Sequence, residues 1–133
     1  MSKTKLTPEE TAELMEYMLN NFIEKTYHLG ELDFVIRTLT VNQQMEAQRS
    51  VRGFEGSQLE WSQELRIRLL SHSIVSFGKK KFENAEQAYT FIKEGADLVI
   101  NKLTDAQKRL QDHIKELLDR ADDFTESPSS SAG

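Results

Sequence analysis

The 133-residue chain contains no cysteine, which excludes a disulfide framework, a thiol nucleophile and a cysteine-ligated zinc. That absence fits a reducing compartment. No apolar run approaches the roughly 18–20 residues needed to span a bilayer. The opening Met1-Ser2-Lys3-Thr4-Lys5-Leu6 has basic residues but no apolar stretch behind them, so no secretory signal is expected. A soluble cytoplasmic protein is the expectation. Basic charge is also short: 17 Lys and Arg stand against 22 Asp and Glu, a net charge of −5. The one dense basic run, Lys79-Lys80-Lys81, neutralises few phosphates, which argues against nucleic acid as the main partner. Apolar residues make up only 38%. Leu, Ile, Val and Phe still reach about a quarter of the chain, above the rough 20% line for disorder. The expected core is therefore thin and single. A chain of this length buries only about two-thirds of its unfolded surface, which leaves apolar area for a partner.

What is present is helical punctuation. Thr7-Pro8-Glu9-Glu10 is a capping box with proline at the first helical position. Leu14, Met18, Phe22 and Ile23 follow at helical spacing, widened by Met15 and Leu19, and predict a helix over about 8–27 closed by Gly30. This stripe reads either as core or as an adaptable partner-binding face, since methionine repacks around irregular surfaces. Leu32 to Leu39 is the one convincing strand, with Val75 to Phe82 as its best mate. The alternative is an extended linker. Thr40 begins a second capping box and a helix to about Arg52. The loop Gly53-Phe54-Glu55-Gly56-Ser57 offers Phe54 either as a plug into a partner or as a lid folded over the core. Residues 58–76 are read as the central buried helix, and Asn84 caps a short helix after it. A last helix over about 96–122 repeats Leu103, Leu110, Ile114 and Leu117 every three or four residues. At about 27 residues it would be roughly 40 Å long, long enough to project or to pair with another chain as a coiled coil, although ordinary packing suits its imperfect heptads better. The predicted architecture is mainly α: one helical domain over residues 1–124, of four to five helices, with a core region over 32–95, room for a short two-stranded β element, and a disordered Ser-rich tail over 125–133.

No catalytic constellation emerges. His28, His72 and His113 are far apart and none has a two-histidine metal spacing. His28 with Glu31 and Asp33 is at most a weak metal site and reads better as a solvated helix end. His72 between two serines lacks an orienting carboxylate. Gly78-Lys79-Lys80-Lys81 lacks the upstream glycine and the following Ser or Thr of a phosphate loop; it reads as a solvated loop or as a dock for an acidic segment. No enzyme, no cofactor and no bound metal are expected.

Phe34-Val35-Ile36-Arg37-Thr38-Leu39-Thr40-Val41, a Gln- and Met-containing helix, and then Leu65 to Gly78 together resemble the small assembly chaperones of tailed bacteriophages, over roughly residues 32–120. Ser71 stands where that pattern usually has alanine. The resemblance implies a mostly helical, non-enzymatic adaptor in the host cytoplasm. It would shield hydrophobic helices of a tape-measure or baseplate-hub protein during virion assembly. The candidate partner-binding residues are Leu14, Met18, Phe22 and Phe54, with Leu103, Leu110, Ile114 and Leu117 on the last helix. Two rivals remain: a tail or baseplate subunit retained in the particle, and a small helical regulator that binds nucleic acid through Lys79 to Lys81. Self-association is open to any of them.

Overall fold

The structure is a computed structural model that describes residues 4–123. The Ser-rich segment expected to be a disordered tail lies outside the described residues. Along the chain run α1 (Pro8–Asn20), β1 (Glu24–Leu29), β2 (Leu32–Arg37), α2 (Val41–Ser50), α3 (Gln58–Ser73), β3 (Ile74–Phe77), β4 (Lys80–Lys81), α4 (Ala85–Lys93) and α5 (Asp97–Ala121). Most described residues are helical. The strands form one antiparallel sheet in the order β1-β2-β3-β4.

The sheet is larger than the expected two-stranded element, and the difference begins at the end of α1. That helix does not run to Tyr27. Asn21 takes the left-handed conformation (φ 69°) and donates its N–H to the Tyr17 carbonyl, which stops the helix one residue after Asn20. The residues that follow then pair with β2 instead, Lys25 opposite Ile36 and Tyr27 opposite Phe34. The expected mate, Val75 to Phe82, holds two strands joined by a turn at Gly78 (φ 60°).

One face of the sheet is apolar and one is wet, as antiparallel sheets allow. Phe34 and Ile36 point to the helices and are buried. An aromatic chain continues beneath the strands, Tyr27 to Phe34 to Phe77 to Phe91, with centroid spacings of 5.7, 6.3 and 5.2 Å. The opposite face carries cross-strand polar pairs: Glu24 with Arg37, and His28 with Asp33.

The central buried helix is α5, not α3. Leu103, Leu110 and Leu117 are fully enclosed, each contributing about 1.5–3 kcal/mol by leaving water. Helix α3 buries Leu70, Ser71 and Ser73 in its last turns and Glu64 before them, whereas Leu59 and Trp61 at its start are exposed. Ser73 ends it by donating its hydroxyl to the Arg37 carbonyl at 2.5 Å.

A buried carboxylate ties α3 to α4. Glu64 accepts the Tyr89 hydroxyl at 2.5 Å and Lys93 Nζ at 3.2 Å. Arg68 lies over the Tyr89 ring, 3.5 Å from its centroid, and reaches Glu86 at 3.1 Å. Burial works to raise the Glu64 pKa. The hydrogen bonds from Tyr89 and Lys93 and the nearby positive charges outweigh it and hold the carboxyl below its ordinary range.

Candidate functional site

The apolar arc of α1 is wider than the domain covers. Leu14 faces the core and is buried. On one side of it, Glu10 and Glu13 fasten the helix to α5. Arg120 grips Glu10 with two hydrogen bonds of 2.9 Å and also donates to the Thr4 and Lys5 carbonyls. His113 Nε2 meets Glu13 at 2.6 Å. The Arg120 guanidinium, with help from the Thr7 amide, holds the Glu10 carboxyl far down, at about 2. On the other side of Leu14, the apolar positions have no partner helix. Met15, Met18 and Leu19 stand 45%, 50% and 72% exposed.

The Thr40 capping box sets the neighbouring helix so that its first residue extends this surface. Thr40 accepts the Gln43 amide and Gln43 accepts the Thr40 amide, at 3.2 and 3.0 Å. Ala47 and Val51 take the inward face of this segment. Val41 and Met45, four residues apart and so on one side of α2, are left outward at 76% and 50% exposure.

Two open hollows run between these elements and meet at Tyr17 and Leu39. One, of about 250 Å³, lies between Met18 and Asn21 of α1 and Thr40 and Val41. The other, of about 270 Å³, lies between Tyr17, Gln44 of α2, and Ile114, Lys115 and Leu118 of α5. Together they make a shallow groove with an apolar floor and a rim of glutamine and lysine.

Of the eight residues read from sequence as partner-binding, the structure brings few to this groove. Met18 lines it. Ile114 touches its floor but is buried. Leu103, Leu110 and Leu117 are correctly read as one helical face, but that face is the centre of the core, and so is Leu14. The exposed stripe expected on the last helix is withdrawn: α1, α3 and β2 all pack on α5. Phe22 is half-buried, with the Arg37 guanidinium 4.2 Å above its ring. Phe54 lies within its own loop, folded across Gly56, and keeps 37% exposure.

The groove residues missed from sequence are Tyr17, Leu39, Val41 and Leu118, and Met45 is exposed on α2 outside its lining. Val41 and Met45 carry a legible signal, since they fall off the face marked by Ala47 and Val51. The contribution of α5 to the groove is set by tertiary packing and leaves no local mark.

The polar candidates resolve into surface structure. His28 Nδ1 meets Asp33 at 2.5 Å across β1 and β2. His72 lines a separate hollow of about 220 Å³ with Arg37 and Asn84. Lys79 lies in the β3–β4 turn, and Lys80 lies 5.5 Å over the Phe91 ring. Among the described residues no helix is long and apolar enough to cross a membrane, and no three acidic, histidine or cysteine side chains cluster to hold a metal ion. No family model matches the chain, and neither a curated protein nor a solved structure matches it.

Proposed function

We propose that this protein is a non-enzymatic assembly chaperone or adaptor that seats an amphipathic helix of a protein partner in the groove between α1, α2 and α5. The observation that carries this reading is the row of exposed apolar side chains on two adjoining helices, Met15, Met18 and Leu19 with Val41 and Met45, beside an open hollow. Three of the five are methionines, whose unbranched, polarisable side chains accept partners of varied shape. A helix laid in such a groove reads it through apolar anchors at i, i+3, i+4 and i+7. Glu9 and Glu16 on α1 remain exposed, which suits a partner helix with basic residues flanking its stripe.

The resemblance over residues 32–120 supplies the partner class: a long helical tape-measure protein, or a baseplate-hub component, whose stripes need covering until the tail tube assembles. Covering is the whole mechanism. The adaptor removes apolar surface from water and from other copies of the partner, and releases it when a tighter helix contact forms.

The test is co-expression with the tape-measure protein and capture from lysate. Met18→Asp with Val41→Asp should reduce capture at least tenfold, a loss of about 1.4 kcal/mol, with helicity and melting temperature unchanged. Undiminished capture by that variant overturns the groove assignment. Recovery of the chain from purified particles at fixed stoichiometry assigns it instead as a retained structural subunit.

A further inference from the structure

β1 is the long open edge of the sheet; the other edge, β4, has two residues. Its pairing with β2 determines which of its backbone groups look outward. The Ile23 carbonyl accepts the Thr38 amide, so the groups facing inward are those of Ile23, Lys25, Tyr27 and Leu29. The N–H and C=O groups of Glu24, Thr26 and His28 face away from the sheet, and among the described residues no backbone group bonds to them. Proteins commonly blunt such an edge with proline, a bulge or a charged side chain such as lysine, and β1 carries one, Lys25. β1 has no proline and pairs with β2 without a break in register.

The side chains of the same three residues share the wet face of the sheet. Glu24 is ion-paired to Arg37, Thr26 lies opposite Val35, and His28 is bonded to Asp33. We propose that β1 pairs antiparallel with β1 of a second copy, about a two-fold axis through Thr26. In that register Thr26 meets Thr26, and Glu24 meets His28 of the other copy twice. The outward backbone groups then coincide and form about six hydrogen bonds. Each Glu24–His28 contact joins two existing pairs into one row across the interface, Arg37, Glu24, His28, Asp33, with basic and acidic groups alternating. On the helix side Lys25 lies against the Tyr27 ring of the other copy, and Ile23 against Leu29.

Other registers lose this match. An axis through Glu24 opposes two carboxylates, and one through Lys25 opposes two ammonium groups. An axis through Tyr27 or His28 sets Glu24 against Gly30 or Leu32 and leaves its charge unanswered. Thr26 is the centre that sets Glu24 against a basic side chain, His28 of the other copy.

The chain has no cysteine, so a single introduced thiol reports the register without ambiguity. Thr26→Cys should give a disulfide-linked dimer under mild oxidation, because directly opposed residues have Cα atoms about 5.5 Å apart. Glu24→Cys should not, because its two copies would lie roughly 13 Å apart at 3.3 Å per residue. The interface is small, so sedimentation of the unmodified protein should be followed to several hundred micromolar. The mass should rise from 15.3 kDa towards twice that value. Thr26→Pro should hold it at the monomer mass, since proline there removes only an outward N–H. A mass fixed at the monomer value overturns the proposal, even if β1 then captures an extended peptide. So does cross-linking of Glu24→Cys as fast as Thr26→Cys, or a folded Thr26→Pro that still dimerises.

Discussion

Arg120 and Glu10 lie 110 residues apart in sequence and are joined by two hydrogen bonds of 2.9 Å. The planar guanidinium fork matches the carboxylate, and its remaining N–H groups go to the Thr4 and Lys5 carbonyls and to Glu116. One side chain near the end of α5 therefore anchors the whole entry to α1.

This pair makes the attachment of α1 sensitive to acid. The ionised Glu10 is the form that Arg120 holds, and its carboxyl is lowered from 4.5 to about 2. A lowered carboxylate stabilises the fold fully above its unfolded value, and the contribution disappears as pH falls from 4.5 through about 2. A carbon-detected NMR titration of Glu10 should show a midpoint near the lower figure. In Arg120→Ala the midpoint should move back towards the upper one.

The inward face of α5 should behave as core and not as interface. Leu110→Ala should cost about 2–5 kcal/mol in urea unfolding, whereas Met15→Ala, on the exposed side of α1, should stay within about 0.5 kcal/mol. A Leu110 variant that folds normally would contradict the packing described above.

Asn21 is the one non-glycine residue with positive φ among those described. Ala there should cost about 1–2 kcal/mol, because a Cβ crowds the carbonyl in the left-handed region and the amide side chain no longer compensates. Gly should be neutral or slightly stabilising. Thermal melts of the two variants decide it.

Tyr89→Phe should be more damaging than a surface substitution. It leaves a Glu64 oxygen without its 2.5 Å donor inside the α3–α4 contact, at a cost of about 1–3 kcal/mol. The double variant with Glu64→Leu should lose more, because Arg68 and Lys93 are then left without the carboxylate they pair with. Chemical denaturation of the single and double variants checks both losses.

Helix starts were legible because capping is local chemistry. Thr7, Thr40 and Asn84 each announce a helix and each caps one. β1 was hidden because Phe22 and Ile23 continue the helical spacing of Leu14 and Met18. What breaks the helix is the backbone of Asn21 and the availability of β2 as a partner, and the second of these is not local. The same limit applies to function. An apolar stripe reads alike whether it faces the core or a partner, so the α5 face was legible as a stripe but not as the centre of the molecule. The surplus width of the α1 stripe was the more informative sign, because one neighbouring helix cannot cover it.

The groove also has a schedule. Its two walls come from the first helix and from Leu118 near the end of the last. The ties that hold α1 in place, Glu13 to His113 and Glu10 to Arg120, span 100 and 110 residues. A growing chain makes α1 well before α5 and cannot seat it until His113 and Arg120 have been synthesised. Until then Leu14 lacks its cover from α5, and the hollow lined by Ile114, Lys115 and Leu118 does not exist. A surface assembled from α1 and α5 thus appears only after Leu118 has been made, and products that stop before it lack that surface.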